Sequence, residues 1–153
     1  MAYPRFTALA VIQREGAAGR DFLVQCADEA DFYRFPGGAV EFGETAAQTI
    51  AREMQEEYGL AVEVGELWMV NENFFTHEGQ TGHSVSLLHY CTCESAVNLV
   101  ELRHQEHDNI RLVWRCEQEL RESGRLMPEG IAERLGPTAE GIFHLISGAE
   151  NSE

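Results

Sequence analysis

No lysine occurs in the sequence. Its 11 basic residues are all arginine, they stand against 26 acidic residues, and the formal net charge is −15. The absence of lysine excludes a phosphate-binding P-loop and Schiff-base catalysis, since both depend on a lysine side chain. The negative charge argues against long nucleic acid as a partner, because such affinity rests largely on basic side chains that neutralise phosphates. A protein of this composition needs metal cations to handle phosphates.

Long apolar runs are absent too. The longest near the N-terminus is residues 7–12, which is strand-sized and far below the roughly 20 residues of a membrane helix. Residues 1–5 lack the apolar region of a signal peptide, so we expect a cytoplasmic protein without a membrane partner. A chain of 153 residues suits a single domain, and its polar, acidic end predicts a disordered tail over residues 146–153. The oligomeric state stays open between a monomer and a homodimer.

Cysteine is present at four positions, Cys26, Cys91, Cys93 and Cys116. This number suits a reduced protein, and we interpret all four as buried apolar side chains. The alternative is a zinc site that uses Cys91 and Cys93, which alternate along a predicted strand. No second pair of cysteines, or of cysteine and histidine, has the spacing that such a site usually shows.

The hydrophobic pattern predicts strands around one long helix. The helix opens at Glu44 and Thr45, runs to Tyr58 and ends at Gly59, a residue type common at helix C-termini. Extended segments are predicted at residues 6–13, 22–26, 39–42, 62–75, 84–93 and 110–114, the first two as a hairpin. Shorter helices are predicted at residues 117–121, 128–135 and 139–146. This order predicts an α/β or α+β layered domain, with helices packed on a mixed sheet.

The long helix carries an apolar stripe and an acidic cluster. At 3.6 residues per turn, the stripe consists of Ala47, Ile50, Ala51, Met54 and Tyr58. Three carboxylates gather on the other side at spacing i, i+3 and i+4, those of Glu53, Glu56 and Glu57. Such a cluster is either a solvated acidic face or a site for a hard cation such as Mg²⁺ or Mn²⁺, which prefer oxygen ligands. The surroundings of the cluster decide between these interpretations.

Those surroundings read GAVEFGETAAQTIAREMQEEYGL over residues 38–60. This string resembles the Nudix box, which is Gly, five residues, Glu, seven residues, Arg-Glu, an aliphatic residue, any residue, Glu-Glu, any residue, Gly and an aliphatic residue. Every charged or glycine anchor of the box is present at its spacing: Gly38, Glu44, Arg52, Glu53, Glu56, Glu57 and Gly59. The one departure is Met54, which is apolar and similar in volume to the usual Leu, Ile or Val. Residues 34–38 (RFPGG) and 71–75 (NENFF) extend the resemblance.

The resemblance implies a Nudix hydrolase, with an α/β/α sandwich around a mixed sheet. Members of this family attack a phosphorus atom of a diphosphate with water, using divalent ions. Glu53, Glu56 and Glu57 match the family's metal ligands, and a backbone carbonyl of Gly37 or Gly38 is a further candidate ligand. The expected cofactor is Mg²⁺ or Mn²⁺.

Two residues of the box have supporting roles in this comparison. Arg52 is expected to orient Glu53 through a charge-assisted hydrogen bond. Glu44 is expected to be a structural or helix-entry residue whose charge suits the N-terminal end of the helix dipole, and indirect assistance to the metals is the alternative.

The general base stays open among Glu53, Glu101 and Glu106, the last two in the segment ELRHQEHD. Arg34, beside the Pro-Gly-Gly segment, is the candidate contact to a substrate phosphate. Phe74 and Phe75 are candidates for stacking on a nucleobase, with Tyr33 undecided between stacking and core and Trp68 assigned to the core. The histidines His83, His104 and His107 are interpreted as surface or strand-end residues.

The predicted substrate is a small, nucleotide-like molecule. A proline about fifteen residues past the box suggests ADP-ribose hydrolysis in this family, but no proline occurs between Pro36 and Pro128. The tyrosine associated with diadenosine polyphosphates is also missing, since Phe74 and Phe75 stand there. This leaves a nucleoside diphosphate linked to another group, a nucleotide sugar or a nucleoside triphosphate. The alternative function is a non-catalytic Nudix-fold module that binds nucleotides or regulates.

Overall fold

The computed structural model describes residues 2–29, 31–136 and 141–148. Within them the helices are α1 (Ala46–Tyr58) and α2 (Glu117–Ser123), with 3₁₀ turns at Glu94–Ala96 and Ala132–Arg134. The strands are β1 (Arg5–Gly16), β2 (Gly19–Ala27), β3 (Tyr33–Arg34), β4 (Gly37–Ala39), β5 (Glu63–His77), β6 (Gln80–Thr92), β7 (Glu101–Arg103), β8 (Ile110–Cys116) and β9 (Phe143–Ser147). None of the helices in these ranges is long and apolar enough to cross a membrane.

The strands form a mixed sheet in the order β7-β8-β2-β1-β6-β5-β9, with β3 added to β2 and β4 added to β1. The β1–β2 hairpin is antiparallel, as predicted. Strand β1 also runs parallel to β6, from Arg5 beside Ser84 to Ile12 beside Cys91. Because both faces of β1 are covered, its sequence is a continuous apolar run and does not alternate with polar residues.

The two helices lie on opposite faces of this sheet. Ile50 and Met54 of α1 are fully buried with Ala8, Leu23 and Trp114 in one hydrophobic core. Leu120 of α2 belongs to the other core, which also contains Val11, Phe22, Trp68 and the C-terminal residues Leu126, Ile131 and Leu135. The expected layered α+β architecture around a mixed sheet is confirmed.

Helix α1 begins and ends as its sequence predicts. The Thr45 hydroxyl accepts a hydrogen bond from the Gln48 amide, and the Gln48 side chain accepts one from the Thr45 amide, so a capping box starts the helix. Gly59 adopts φ 65° and its amide bonds the carbonyl of Gln55. The predicted apolar stripe is partly wrong. Ala47 is half-buried and Ala51 exposed, because the helix turns Ala46 and Thr49 towards the sheet instead.

The C-terminal part differs from the prediction. The helix expected at residues 139–146 is wrong where it can be compared, since β9 occupies Phe143–Ser147 and pairs in parallel with Met69–Asn73 of β5. Ile146 and Ser147, assigned to a disordered tail, lie in this strand; residues 139–140 and 149–153 fall outside the described residues. The helix expected at 128–135 is reduced to the 3₁₀ turn, because Gly130 adopts φ 98°.

The predictions for residues 39–42 and for the cysteines can also be compared with the structure. The extended piece expected at residues 39–42 is instead β4, two residues earlier, since Gly37–Ala39 pairs with Thr7–Leu9 of β1. Cys26, Cys91 and Cys93 are buried and Cys116 is half-buried. Burial raises the pKa of the Cys91 thiol to about 12, which is the behaviour of a core cysteine and disfavours its use as a thiolate ligand.

Candidate active site

Gly37 and Gly38 bring the chain between two neighbours that leave no room for side chains. At Gly37, which has φ 152°, a Cβ atom would collide with the backbone of Ala8 and Leu9 in β1. At Gly38 a Cβ would lie 2.5 Å from Oε1 of Glu53. The two glycines therefore let the loop before α1 pass between strand β1 and the first carboxylate of the acidic cluster.

Arg52 is the centre of the hydrogen bonds on the acidic side of α1. Its Nε donates to Glu44 Oε2 over 2.8 Å and its Nη2 to Glu44 Oε1 over 3.0 Å, so this pair is bidentate. Its Nη1 donates to Glu53 Oε1 at 3.0 Å and to Glu56 Oε2 at 3.2 Å. The geometry agrees with the expected orienting role of Arg52.

Glu44 stands at the entry to helix α1. It precedes the N-cap Thr45, and its carboxylate accepts hydrogen bonds from Arg52, the Thr49 hydroxyl and the Glu41 amide. The Arg52 hydrogen bond, followed by that of the Glu41 backbone, lowers the pKa of Glu44 to about 2. Glu44 thus binds both the Thr49 hydroxyl and the Arg52 guanidinium at the entry to the helix.

Glu57 faces away from Arg52 and towards a loop from elsewhere in the chain. Nε2 of His104 lies 3.4 Å from Glu57 Oε2. The Gln105 amide donates to the Glu57 carbonyl over 2.8 Å. Burial, then a hydrogen-bonding contact with Glu53 and the charges of Glu53 and Glu106, raise the pKa of the Glu57 carboxyl. Carboxylates from α1 and from this loop therefore converge at the C-terminal half of the helix.

The two glutamates outside the box are placed very differently. Glu106 is close enough to Glu57 for its charge to act on that carboxyl. Glu101 instead makes ion pairs with Arg103 at 3.3 Å and with Arg111 at 3.0 Å on the β7–β8 hairpin. The structure therefore brings only Glu106 of this pair towards the acidic cluster.

Arg34 lies at the entrance of the Pro-Gly-Gly segment. Its guanidinium stacks 4.8 Å from the ring centre of Phe32, and no carboxylate of the described residues lies within 4.0 Å of it or of Arg5. Partial burial, and then the charge of Arg5, lower the pKa of Arg34. Most arginines described here have acidic partners, so this pair of neighbouring cations stands out.

The aromatic candidates separate into two groups. Trp68 is buried in the core as predicted, and Tyr33 is core as well, with its ring between the guanidinium groups of Arg115 and Arg125. Phe74 and Phe75 are partly exposed, and they point to opposite faces because they are consecutive on β5. The Phe74 ring stacks on His83 with 4.3 Å between ring centres.

His104 directly follows strand β7, so it is a strand-end histidine as expected, but it does not lie at the surface. It is 6% exposed, while His107 is exposed as expected and His83 is half-buried. Three contributions to the site were missed from the sequence: the contact of His104 with Glu57, the bond of Thr49 to Glu44, and the proximity of Arg5 to Arg34. Only His104 had a local signal, since it lies two residues before the candidate base Glu106.

A divalent cation fits the chemistry of this donor set. Burial first, and then the neighbouring Glu53 carboxylate, raise the pKa of the Glu57 carboxyl, and a bound cation would offset both effects. Within the described residues no group of three His, Cys, Asp or Glu side chains is already arranged as a metal site. Mg²⁺ does not need such a cage, because it is commonly held by one or two carboxylates, waters and substrate phosphates.

A family model of the NUDIX domain matches residues 4–134. The chain belongs to the Nudix family. The predicted resemblance and the predicted enzyme class, a Nudix hydrolase, are thus confirmed. Nudix hydrolases are pyrophosphohydrolases of nucleoside diphosphate derivatives, and they generally use divalent metal ions.

Solved Nudix structures have the same fold. A NUDIX hydrolase from Nitrosomonas europaea matches with TM-score 0.64 and 19% identity, over 96% of this chain and 81% of the other. An ADP-ribose pyrophosphatase from Streptococcus suis matches with TM-score 0.61 and 15% identity, over 95% of this chain and 100% of the other. A UDP-X diphosphatase gives 0.56 and 20%, over 77% of this chain and 53% of the other, so this Nudix chain spans about half of that protein. At these identities the likeness shows the fold alone.

Proposed function

We propose that this protein hydrolyses a diphosphate linkage in a small nucleotide-like substrate, with Mg²⁺ or Mn²⁺ as cofactor and water attacking phosphorus. The observation that carries the proposal is the convergence of the Glu53 and Glu57 carboxylates next to Glu106, with Arg52 holding Glu53 from one side. A solvated acidic face would spread such charges apart. The contact between Glu53 and Glu57 instead supports a site that holds a cation.

The box residues divide this work among them. Glu53 and Glu57 are the proposed principal metal ligands, with Glu56 as a third and a carbonyl of Gly37 or Gly38 as an additional one. When bound, the cation polarises a phosphate oxygen and neutralises charge on the leaving group. Arg52 keeps Glu53 in place, and Glu44 keeps Arg52 in place through the bidentate pair.

Glu106 is the proposed general base. It lies on the loop that contacts the end of α1, close enough to influence Glu57. Glu101 is disfavoured because two arginines already engage its carboxylate. Glu53 is the second candidate, but its Oε1 is already engaged by a hydrogen bond from Arg52.

The substrate is proposed to place a phosphate near Arg34 and Arg5. Two neighbouring guanidinium groups that have no carboxylate partner among the described residues suit a polyanion, since each can donate several hydrogen bonds to phosphate oxygens. Phe74 and Phe75 stay candidates for stacking on the base. Because they point to opposite faces, at most one of them lines a given pocket.

The test is an assay of phosphate or nucleotide release with Mg²⁺ or Mn²⁺. The panel contains dinucleotides, nucleoside diphosphate sugars and nucleoside triphosphates. We expect turnover of at least one compound, complete loss with chelator, and a fall of orders of magnitude in Glu57→Gln. The matched control is Glu66→Gln, the same change at an exposed position of β5, which should retain wild-type turnover. Nucleotide binding without turnover would instead indicate the non-catalytic module.

Comparing Glu106→Gln with Glu101→Gln tests the choice of base. Loss of the acidic limb of the rate-against-pH profile, where protonation of the base lowers the rate, in Glu106→Gln alone supports the assignment. The same loss in Glu101→Gln, with Glu106→Gln unaffected, would contradict it.

A further inference from the structure

The loop that carries Glu106 is fixed to the end of α1 by backbone hydrogen bonds. The Gln105 amide donates to the Glu57 carbonyl over 2.8 Å. At the base of the loop, the His104 amide donates to the Ile110 carbonyl over 2.9 Å. These bonds set where the loop crosses the helix, but they leave the Glu57 carboxylate free to rotate.

The His104 ring is anchored inside this loop. Its Nδ1 accepts hydrogen bonds from the amides of Glu106 at 3.0 Å and His107 at 3.2 Å. A nitrogen that accepts two amide hydrogens carries no proton, so in the neutral ring the hydrogen is on Nε2. The ring also packs edge-on against Tyr58, with 5.2 Å between ring centres, and is almost fully buried.

The other nitrogen of the ring is directed to the acidic cluster. Nε2 lies 3.4 Å from Oε2 of Glu57, and the two side chains are only 5% and 19% exposed. At 3.4 Å the contact is longer than an ordinary N–H···O hydrogen bond, so a small movement of either side chain would bring the ring nitrogen into hydrogen-bonding distance of the carboxylate. Nδ1 at the same time holds the amide of Glu106. One ring thus touches both the helix carboxylate and the residue proposed as base.

We propose that His104 is a positioning residue that sets Glu57 and the Glu106 loop relative to one another through its two ring nitrogens. The inference rests on the proposed function, since it assigns Glu57 to cation binding. A side chain that holds a ligand carboxylate in one orientation reduces the reorganisation needed when a cation binds. The same ring holds the turn of the loop, so the proposed base keeps a constant distance from the ligand.

Two substitutions of His104 distinguish the roles of its two ring nitrogens. His104→Asn retains an acceptor near the Nδ1 position for the loop amides but has no group that reaches Glu57. His104→Gln places an amide donor near the Nε2 position. We expect His104→Asn to weaken Mn²⁺ binding and lower kcat by about tenfold each, with KM for nucleotide unchanged, and His104→Gln to restore both within about threefold. Mn²⁺ affinity is measured without substrate, by electron paramagnetic resonance of free Mn²⁺.

The control is His77→Asn, the same change at the tip of the β5–β6 hairpin, where the side chain is 81% exposed. It should leave Mn²⁺ affinity and kcat unchanged. A purely structural His104 would lower the melting temperature of His104→Asn without changing Mn²⁺ affinity per folded molecule. That result, or a His104→Gln no better than His104→Asn, would overturn the inference.

A measurement on the wild-type protein does not depend on how the variants fold. Nitrogen–proton correlation spectra of the histidine rings should show His104 protonated at Nε2, with the Nε2 signal shifting when Mg²⁺ is added. A ring protonated at Nδ1 would contradict the inference directly. Wild-type protein without metal-dependent turnover would instead reject the proposed function, which separates the two failures.

Discussion

The replacement of Gly38 by alanine tests the position of Glu53 most directly. A Cβ at Gly38 would lie 2.5 Å from Glu53 Oε1 and 2.8 Å from its Cγ, whereas ordinary contacts begin near 3.4 Å. The carboxylate must therefore move by about 1 Å, the difference between 3.4 and 2.5 Å. Gly38 is not among the glycines with positive φ, so alanine can adopt its backbone conformation without strain.

The expected effect is on catalysis and much less on folding. A displacement of 1 Å in a catalytic geometry costs roughly 100-fold in rate, which corresponds to about 2.7 kcal/mol in the activation free energy. We expect kcat of Gly38→Ala to fall by about this factor at saturating Mg²⁺. The melting temperature should stay close to that of the wild type, because the side chain of Glu53 can yield at its end.

The assay is steady-state release of product from the best substrate of the panel, together with a thermal melt. Gly79→Ala serves as the control, because a Cβ there meets nothing within 4 Å. Its positive φ of 79° costs some stability, but it should not change kcat. A Gly38→Ala enzyme with wild-type kcat would show that Glu53 is not needed where the structure places it. A large drop in melting temperature would show that the glycine serves folding.

Three further predictions concern stability and substrate contacts. The pKa of Glu44 is lowered from 4.5 to about 2. Its ion pair with Arg52 should therefore stabilise the fold fully above pH 4.5, and this stabilisation should be lost as the pH falls towards 2. The free energies of unfolding of wild type and Glu44→Gln, measured with urea, should converge at low pH. Met54→Ala, at a fully buried position, should lower the free energy of unfolding by about 2–5 kcal/mol, while the exposed Gln55→Ala changes it little in the same urea titration. Of Phe74→Ala and Phe75→Ala, only one should raise KM for the nucleotide, because the rings face opposite sides of the sheet.

Helix α1 and its cluster were predictable because their determinants are local. Thr45 and Gln48 form the capping box, Gly59 takes the left-handed conformation, and the spacing of Glu53, Glu56 and Glu57 places them on one side. The two misassigned alanines have a simple cause. Periodicity gives the width of an apolar face, but the packing of Ala46 and Thr49 on the sheet sets its rotation, and that contact is not local.

The C-terminal strand and the loop contacts depend on partners far along the chain. Strand β9 forms by pairing with Met69–Asn73 of β5. The paired residues are far apart in sequence, and Asn71 and Leu145, for example, are separated by 74 residues. The segment 143–147 is too short for its hydrophobic pattern to distinguish a strand from a helix. The contact of His104 with Glu57 was missed for the same reason. The sequence places His104 next to Glu106, but it does not indicate that Glu57 lies beside it.

Part of the excess of acidic residues in the chain is concentrated at this site. Glu44, Glu53 and Glu56 accept hydrogen bonds from a single guanidinium, that of Arg52, and the charges of Glu53 and Glu106 act on Glu57 next to them. Burial, and then the contact with Glu53 and its charge, raise the pKa of the Glu57 carboxyl, so that further negative charge at this position is unfavourable. An anionic substrate would increase the repulsion, which a divalent cation removes without any lysine. We therefore expect the position of the Glu57 carboxylate to decide whether the acidic cluster binds a cation, as proposed, or is a solvated acidic face.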